Sequence, residues 1–248
     1  MSGHSKWSTI KRKKALIDAK KGKIFTKLAR EITIAAKEGG GDPDGNPRLR
    51  LAISQARAAN MPKDNQERAI NKGTGELADV TFESFVYEGR GPGGSCFLLV
   101  GDTDNRNRTV AEIRHTFSKY GGELSAPGAV TWMFDYKGVI EIEKDAIDED
   151  TLMERALGAG AEDIQDWDGS WGVLADPSDF SAVEEEFREL NPDAEVRYLL
   201  KPENELLLEG NLAIQVAKFW ALLDDNDDVA KSYANVTIAD EILDEFGP

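Results

Sequence analysis

The first 75 residues and the rest of this chain carry opposite charge, and that split limits what the chain can be more than any other feature. Residues 1–75 hold 17 Lys and Arg against 7 Asp and Glu, whereas residues 76–248 hold 13 against 39. The overall net charge of −16 therefore describes neither part. A basic module on an acidic body points to a polyanionic partner for one end only, because phosphate would be repelled by the body.

The basic stretch opens with Gly3, His4, Ser5, Lys6 and Trp7, with no apolar run. Lys11, Arg12, Lys13 and Lys14 follow as an unbroken cationic cluster, then Lys20, Lys21 and Lys23. From Ile24 the pattern turns helical, with Ile24, Phe25, Leu28, Ile32 and Ala35 or Ala36 at three- and four-residue spacing. Gly39, Gly40 and Gly41 stop it. The expectation is a charged arm leading into a helix that packs its Phe25/Leu28/Ile32 face. Trp7 within the basic run offers a surface on which a base can stack, as in many sites for single-stranded or looped nucleic acid. A solvated arm with Trp7 tucked onto the helices is the plainer alternative. Nucleic-acid contact is favoured over it because positive charge and an aromatic coincide where the body has the opposite sign. The candidate contacts are His4, Ser5, Lys6, Trp7, Lys11, Arg12, Lys13, Lys14, Lys20, Lys21, Lys23, Lys27 and Arg48.

The segments GHSKW, IKRKKALIDAKKGKIFTKLAREI, GGGDPDGNPRLR and NMPKDNQERAI closely resemble the start of the YebC/PmpR family, which includes the mitochondrial translational activator of cytochrome oxidase. The resemblance runs through essentially the whole chain. It implies a three-domain protein with one domain nested in another. It also implies one of two roles: a DNA-binding transcriptional regulator, or a ribosome-associated factor that helps elongation through proline-rich sequences. Relatives usually look like G-x-L-G-x-x-G-S-V near 121–130, where this chain has Ser125 and Ala129 in place of Gly and Ser. A partner contact through that loop would be altered by the change; a plain turn would not.

The rest of the chain reads as follows. Asn46-Pro47 has the form of a helix N-cap followed by Pro at the first helical position, and a helix follows with Leu49, Ala52, Ile53 and Ala56 inward. A short helix starts at Pro62 and closes at Gly73. Residues 1–75 are thus a small all-α domain. Strands are predicted over 82–87 and 95–101, a helix over 107–120, and strand again over 129–134 and 138–142. From about Met133 to Lys201 the order β-α-β-β-α-β is the ferredoxin-like split βαβ arrangement. A helix over 211–223 and a strand over 233–238 can complete the earlier strands. The fold class is α+β and multidomain: an N-terminal helical domain (1–75), then two ferredoxin-like α+β domains, 76–132 with 205–248 and an inserted 133–204.

Chemistry is harder to find. Gly89 to Gly94 matches G-x-G-x-x-G, but a strand follows where a dinucleotide site needs a helix N-terminus, so the match reads as a hairpin loop. Asp166 and Asp168 lie beside Trp167 and Trp171, which would suit a paired-carboxylate hydrolase, but Asp168-Gly169 is also a hairpin signal and that structural reading is preferred. The acidic run from Asp224 to Asp228 fails as a calcium loop because Val229 and Asn235 stand where Gly and Glu are required. It reads as a solvated turn. His115 has no second ligand at metal spacing. No cofactor, metal or catalytic set is expected, nor a small-molecule substrate. With one cysteine, Cys96, no internal disulfide forms. No apolar run approaches the ~20 residues of a membrane helix, and the basic N-terminus lacks the apolar region of a secretory signal. The expectation is a monomeric, cytoplasmic, non-enzymatic regulator of gene expression that binds ribosomal RNA, the ribosome or DNA. The alternative is a protein-interaction module acting through the acidic body.

Overall fold

The computed structural model describes the backbone of residues 3–76, 81–167, 169–190 and 192–248, and the same residues' side chains except 3–20 and 76. The helix predicted from Ile24 starts far earlier: α1 spans Gly3–Gly39, so the expected arm is drawn as helix. Lys, Arg, Ala, Leu and Ile dominate this stretch and are good or tolerable helix formers, and a single Gly22 costs only about 1 kcal/mol. Helix α2 (Pro47–Ala58) begins where the sequence placed its cap. The Asn46 side chain accepts from Leu49 N at 3.1 Å and donates to Ala35 O at 2.7 Å and Gly40 O at 2.9 Å. One residue thus caps α2 and closes the end of α1. Helix α3 (Lys63–Asn71) does not stop at Gly73 but runs on into a π-helical turn, Lys72–Glu76. A Cβ on Gly73 would sit 2.2 Å from Thr33 O, so Gly73 is there to let this turn lie against α1. Ile32, Ala35, Leu49, Ala52, Ala56 and Met61 form the core of the three helices.

The body holds two four-stranded sheets. In the first, β1 (Glu83–Arg90), β2 (Cys96–Thr103), β3 (Glu123–Leu124) and β9 (Val229–Ala234) lie in the order β3-β1-β2-β9. Helices α4 (Arg106–Lys119) and α7 (Gly210–Asp224) cover one face. The strand order is the ferredoxin-like one, although the chain enters through the central β1–β2 hairpin. In the second, β4 (Phe134–Glu143), α5 (Glu149–Ala159), β5 (Asp163–Asp166), β6 (Ser170–Ala175), α6 (Phe180–Glu186) and β7 (Asp193–Leu200) follow the split βαβ order, giving β5-β6-β4-β7, all antiparallel. All strands of this sheet fall in sequence between β3 and β9. A parallel two-residue pair, β8 (Leu206–Leu207) with β10 (Val236–Thr237), and a short α8 (Asp240–Phe246) complete the chain. The strand predicted over 233–238 is split at Asn235, whose side chain accepts from Cys96 N at 2.7 Å.

The central strand β2 is buried on both faces. Phe97 and Leu99 enter the core under α4 and α7, while Cys96 and Leu98 pack with Val130, Phe134, Tyr198 and Tyr233 and join the two sheets. This explains the unbroken apolar run Cys96-Phe97-Leu98-Leu99-Val100.

The strand expected over 129–134 is absent; Thr131–Met133 form a 3-10 turn before β4. Glu88 is the reason. Its buried carboxylate accepts from Gly128 N at 2.6 Å, Val130 N at 2.6 Å and Thr131 N at 2.9 Å, taking the N–H groups a ladder would use. Burial would push this carboxyl up, but the backbone donors outweigh it and hold it below the ordinary carboxylate range. These loop amides are thus used within the chain, so the 121–130 loop is chiefly a fixed turn, and the departures at Ser125 and Ala129 leave its anchor intact.

Because the folded carboxyl is depressed, Glu88 stabilises the chain above its unfolded pKa of about 4.3, and that contribution fades as pH falls through the folded value. Glu88→Gln is expected to cost about 1–3 kcal/mol near neutral pH, and less below pH 4, in denaturant unfolding. Gly101→Ala is expected to destabilise by about 1–3 kcal/mol, because its Cβ would fall 1.9 Å from Asp228 O.

Candidate nucleic-acid interface

Lys23, Lys27 and Arg30 recur at spacings of four and three, which places them on one face of α1. That face meets the acidic turn at the end of α7. Lys23 pairs with Asp225, Lys27 Nζ lies 2.6 Å from Asp224 Oδ2, and Arg30 pairs with Asp228. Asp228 is only 3% exposed and also accepts from Arg108 Nη2 at 2.9 Å, Thr103 Oγ1 at 3.1 Å and Thr109 Oγ1. Arg30 further donates to Asp102 O at 3.0 Å, and its guanidinium lies 5.6 Å from the Phe82 ring centre. Burial alone would raise the Asp228 carboxyl; the hydrogen bonds from Thr109 and Arg108 and the charge of Arg30 keep it below the ordinary range.

Arg48 is held by three carboxylates. Its Nε donates to Glu31 Oε1 at 2.7 Å, Nη1 to Glu38 Oε2 at 2.6 Å and Nη2 to Asp102 Oδ2 at 3.0 Å. The other oxygen of Asp102 accepts from Ser84 Oγ at 2.6 Å. Two ion-pair clusters, one on Asp228 and one on Arg48, therefore fasten the helical region to the first sheet.

This corrects one expectation and places three of the candidate cations. The 224–228 turn is no solvated loop: it is a docking site whose innermost carboxylate is buried. Lys23, Lys27 and Arg48, expected to face phosphate, are engaged with carboxylates of the same chain. The reason is simple proximity: an opposite charge that never leaves is met before any partner arrives. Lys21 is exposed and has no partner among the described residues. His4, Ser5, Lys6, Trp7, Lys11, Arg12, Lys13, Lys14 and Lys20 lie on the backbone of α1, and their side chains fall outside the described residues. Arg50 closes the preceding turn, donating to Pro43 O at 3.1 Å and Asp44 O at 3.0 Å.

Sequence reasoning passed over Arg68 and Lys72. Both are exposed, and among the described residues neither has a carboxylate partner; Arg68 Nε donates to Asp64 O at 3.2 Å. Their four-residue spacing on a helix was the signal that could have found them.

The other candidates gather no chemistry. Asp166 pairs with Lys144 on an exposed hairpin, and Asp168 lies outside the described residues. Residues 89–94 run from the end of β1 into the turn before β2, with Gly91 N donating to Ser95 O at 2.7 Å. His115 is exposed on α4. Among the described residues no group of His, Cys, Asp and Glu side chains is placed to hold a metal, and no helix is long and apolar enough to cross a membrane.

Known proteins match along the full length. Residues 5–76 match the model of the TACO1/YebC protein N-terminal domain, and residues 82–236 that of the TACO1/YebC second and third domain. A probable transcriptional regulatory protein of Desulforapulum autotrophicum is 53% identical, over 98% of this chain and 99% of its own. One from Geobacter sulfurreducens is 51% identical, over 99% of this chain and 100% of its own. The crystal structure of a conserved hypothetical protein from Aquifex aeolicus is 42% identical and superposes with a TM-score of 0.73, covering 92% of this chain and 94% of that one.

The docking clusters set a stability expectation. Asp228→Asn is expected to cost roughly 2–4 kcal/mol, because it leaves Arg30 and Arg108 facing each other without their shared carboxylate. A double-mutant cycle of Arg30→Met with Asp228→Asn is expected to show a coupling of about 1–3 kcal/mol in urea unfolding, against nearly zero for additive sites.

Proposed function

Given that the chain belongs to the TACO1/YebC family, we propose that it is a non-enzymatic, cytoplasmic regulator of gene expression that binds nucleic acid through residues 1–75. Residues 76–132 with 205–248, and residues 133–204, form two further units that carry the acid. The observation that supports the reading best is the charge partition, 17 basic against 7 acidic side chains in residues 1–75 of a chain whose net charge is −16. The names of the relatives, probable transcriptional regulatory proteins, support a regulatory role.

Within that role, RNA on the ribosome is favoured over duplex DNA by the form of α3. A recognition helix lays an exposed face into the major groove. The outward residues of α3 include Asp64 and Glu67, with Glu67 3.5 Å from Lys63, while Gln66 and Ala69 are buried. The exposed residues of α3, Lys63, Asp64, Glu67, Arg68 and Asn71, balance in charge, so α3 offers no cationic face along a duplex groove. A charged helix carrying an aromatic, by contrast, suits structured or single-stranded RNA.

The test is binding of the full chain to a ribosomal RNA fragment and to duplex DNA over a salt series. If ~6 phosphates are neutralised, log K on duplex falls against log salt with a slope near −5, and somewhat less steeply on single strands. Replacing Lys11, Arg12, Lys13 and Lys14 together by Ala is expected to flatten the slope by about one unit for each contacting cation removed. An affinity unchanged by salt and by these replacements would move the function to the acidic body and a basic protein partner.

A further inference from the structure

Between α1, α3 and the residues leading into β1 lies an open groove of about 520 Å³. That is within the ~300–1,000 Å³ of small-ligand sites. Its floor is apolar: Phe25, Ala29 and Met61 from the helical region, and Phe82 from the body. Arg68 and Lys72 stand on its α3 side. We infer that this groove holds one unstacked nucleotide of a single-stranded nucleic acid, its base against Phe25 and Phe82 and its phosphate on Arg68 and Lys72. The inference rests on the nucleic-acid reading above and deepens it, since it places the contact on side chains away from the N-terminal cationic run.

Three observations carry it. First, these are the cations lining the groove that no carboxylate of the described residues neutralises. Lys23, Lys27, Arg30 and Arg48 each meet a carboxylate, but among the described residues Arg68 and Lys72 meet none. The bond from Arg68 Nε to Asp64 O occupies one edge of the guanidinium and leaves Nη1 and Nη2 for a two-point phosphate contact. Second, cations and aromatics meet here: the Arg30 guanidinium already lies over the Phe82 ring at 5.6 Å, and the Arg30 Nε is buried without a hydrogen-bond partner. The Phe82 ring and the Arg30 guanidinium thus meet at the groove wall, where cation and aromatic surface lie side by side. Third, the lining holds three cations, Arg30, Arg68 and Lys72, against one carboxylate, Asp227, in a chain of net charge −16. Asp227 disfavours a polyphosphate tail and offers an acceptor to the amino group of a base. An apolar peptide would have no use for those cations. A duplex keeps its bases stacked and out of reach of the floor.

The experiment uses the full chain and a single-stranded RNA 12-mer carrying one 2-aminopurine, beside the matching duplex and a free mononucleotide. Arg68→Ala with Lys72→Ala is compared with Arg114→Ala with Lys119→Ala, which removes the same charge from the exposed face of α4. The groove variant is expected to bind the single strand at least tenfold more weakly than the α4 variant does, while the two differ little on the duplex. Phe82→Leu keeps an apolar floor without the ring, and is expected to lose most of the 2-aminopurine fluorescence change seen on binding, with little change in melting temperature. Equal affinities of the groove and α4 variants for the single strand would overturn the inference. So would a mononucleotide that binds as tightly as the 12-mer, which would make the groove a site for a free nucleotide. The nucleic-acid reading fails separately, if the unmodified chain binds neither RNA nor DNA.

Discussion

The arrangement of this protein depends on a buried carboxylate. Asp228 lies just before β9 and gathers Arg30 from α1, Arg108 from α4 and the hydroxyls of Thr103 and Thr109. A charge so deeply placed is tolerable only when its partners are complete. Completeness here requires the basic helix to lie against the acidic body. Gly101 permits it, because any side chain there would strike the backbone of Asp228. The charge split seen in the sequence thus has two consequences. It suits one end to a polyanion, and it supplies the attraction that docks that end onto the rest.

Those two uses compete for the same side chains. The half of α1 nearest the body gives its cations to Asp224, Asp225 and Asp228, and Arg48 gives its own to Glu31, Glu38 and Asp102. On the proposed reading, phosphate contacts fall to the N-terminal half of α1, to Lys21, and to Arg68 and Lys72 on the α3 side. The exposed ion pair of Lys23 contributes little, while the pairs to buried Asp228 and Asp102 contribute more. Docking is therefore held chiefly by the inner members of the network.

Much of this was legible before any coordinates. Asn46-Pro47 announced the start of α2, and the β-α-β-β-α-β order announced the second sheet. What could not be read depended on distant partners. A run of aspartates is usually a solvated turn, and nothing local in Asp224 to Asp228 says that Arg30, almost two hundred residues earlier, will bury its last member. Glu88 looks like any strand glutamate until the loop at 128–131 wraps it. The long α1 was missed for a different reason: clustered like charges suggest an extended arm, yet lysine is a good helix former and the cluster's cost is small beside propensity summed over many residues.

The central claim is that the helical region of residues 1–75, and not the acidic body, touches nucleic acid. Ultraviolet crosslinking of the full chain in cells tests it most directly, with the crosslinked peptides located by mass spectrometry and the recovered RNA and DNA sequenced. The account predicts crosslinked peptides within residues 3–75 and RNA recovered at a few fixed ribosomal positions. Crosslinks confined to residues 133–204, or none above background to either nucleic acid, would contradict it.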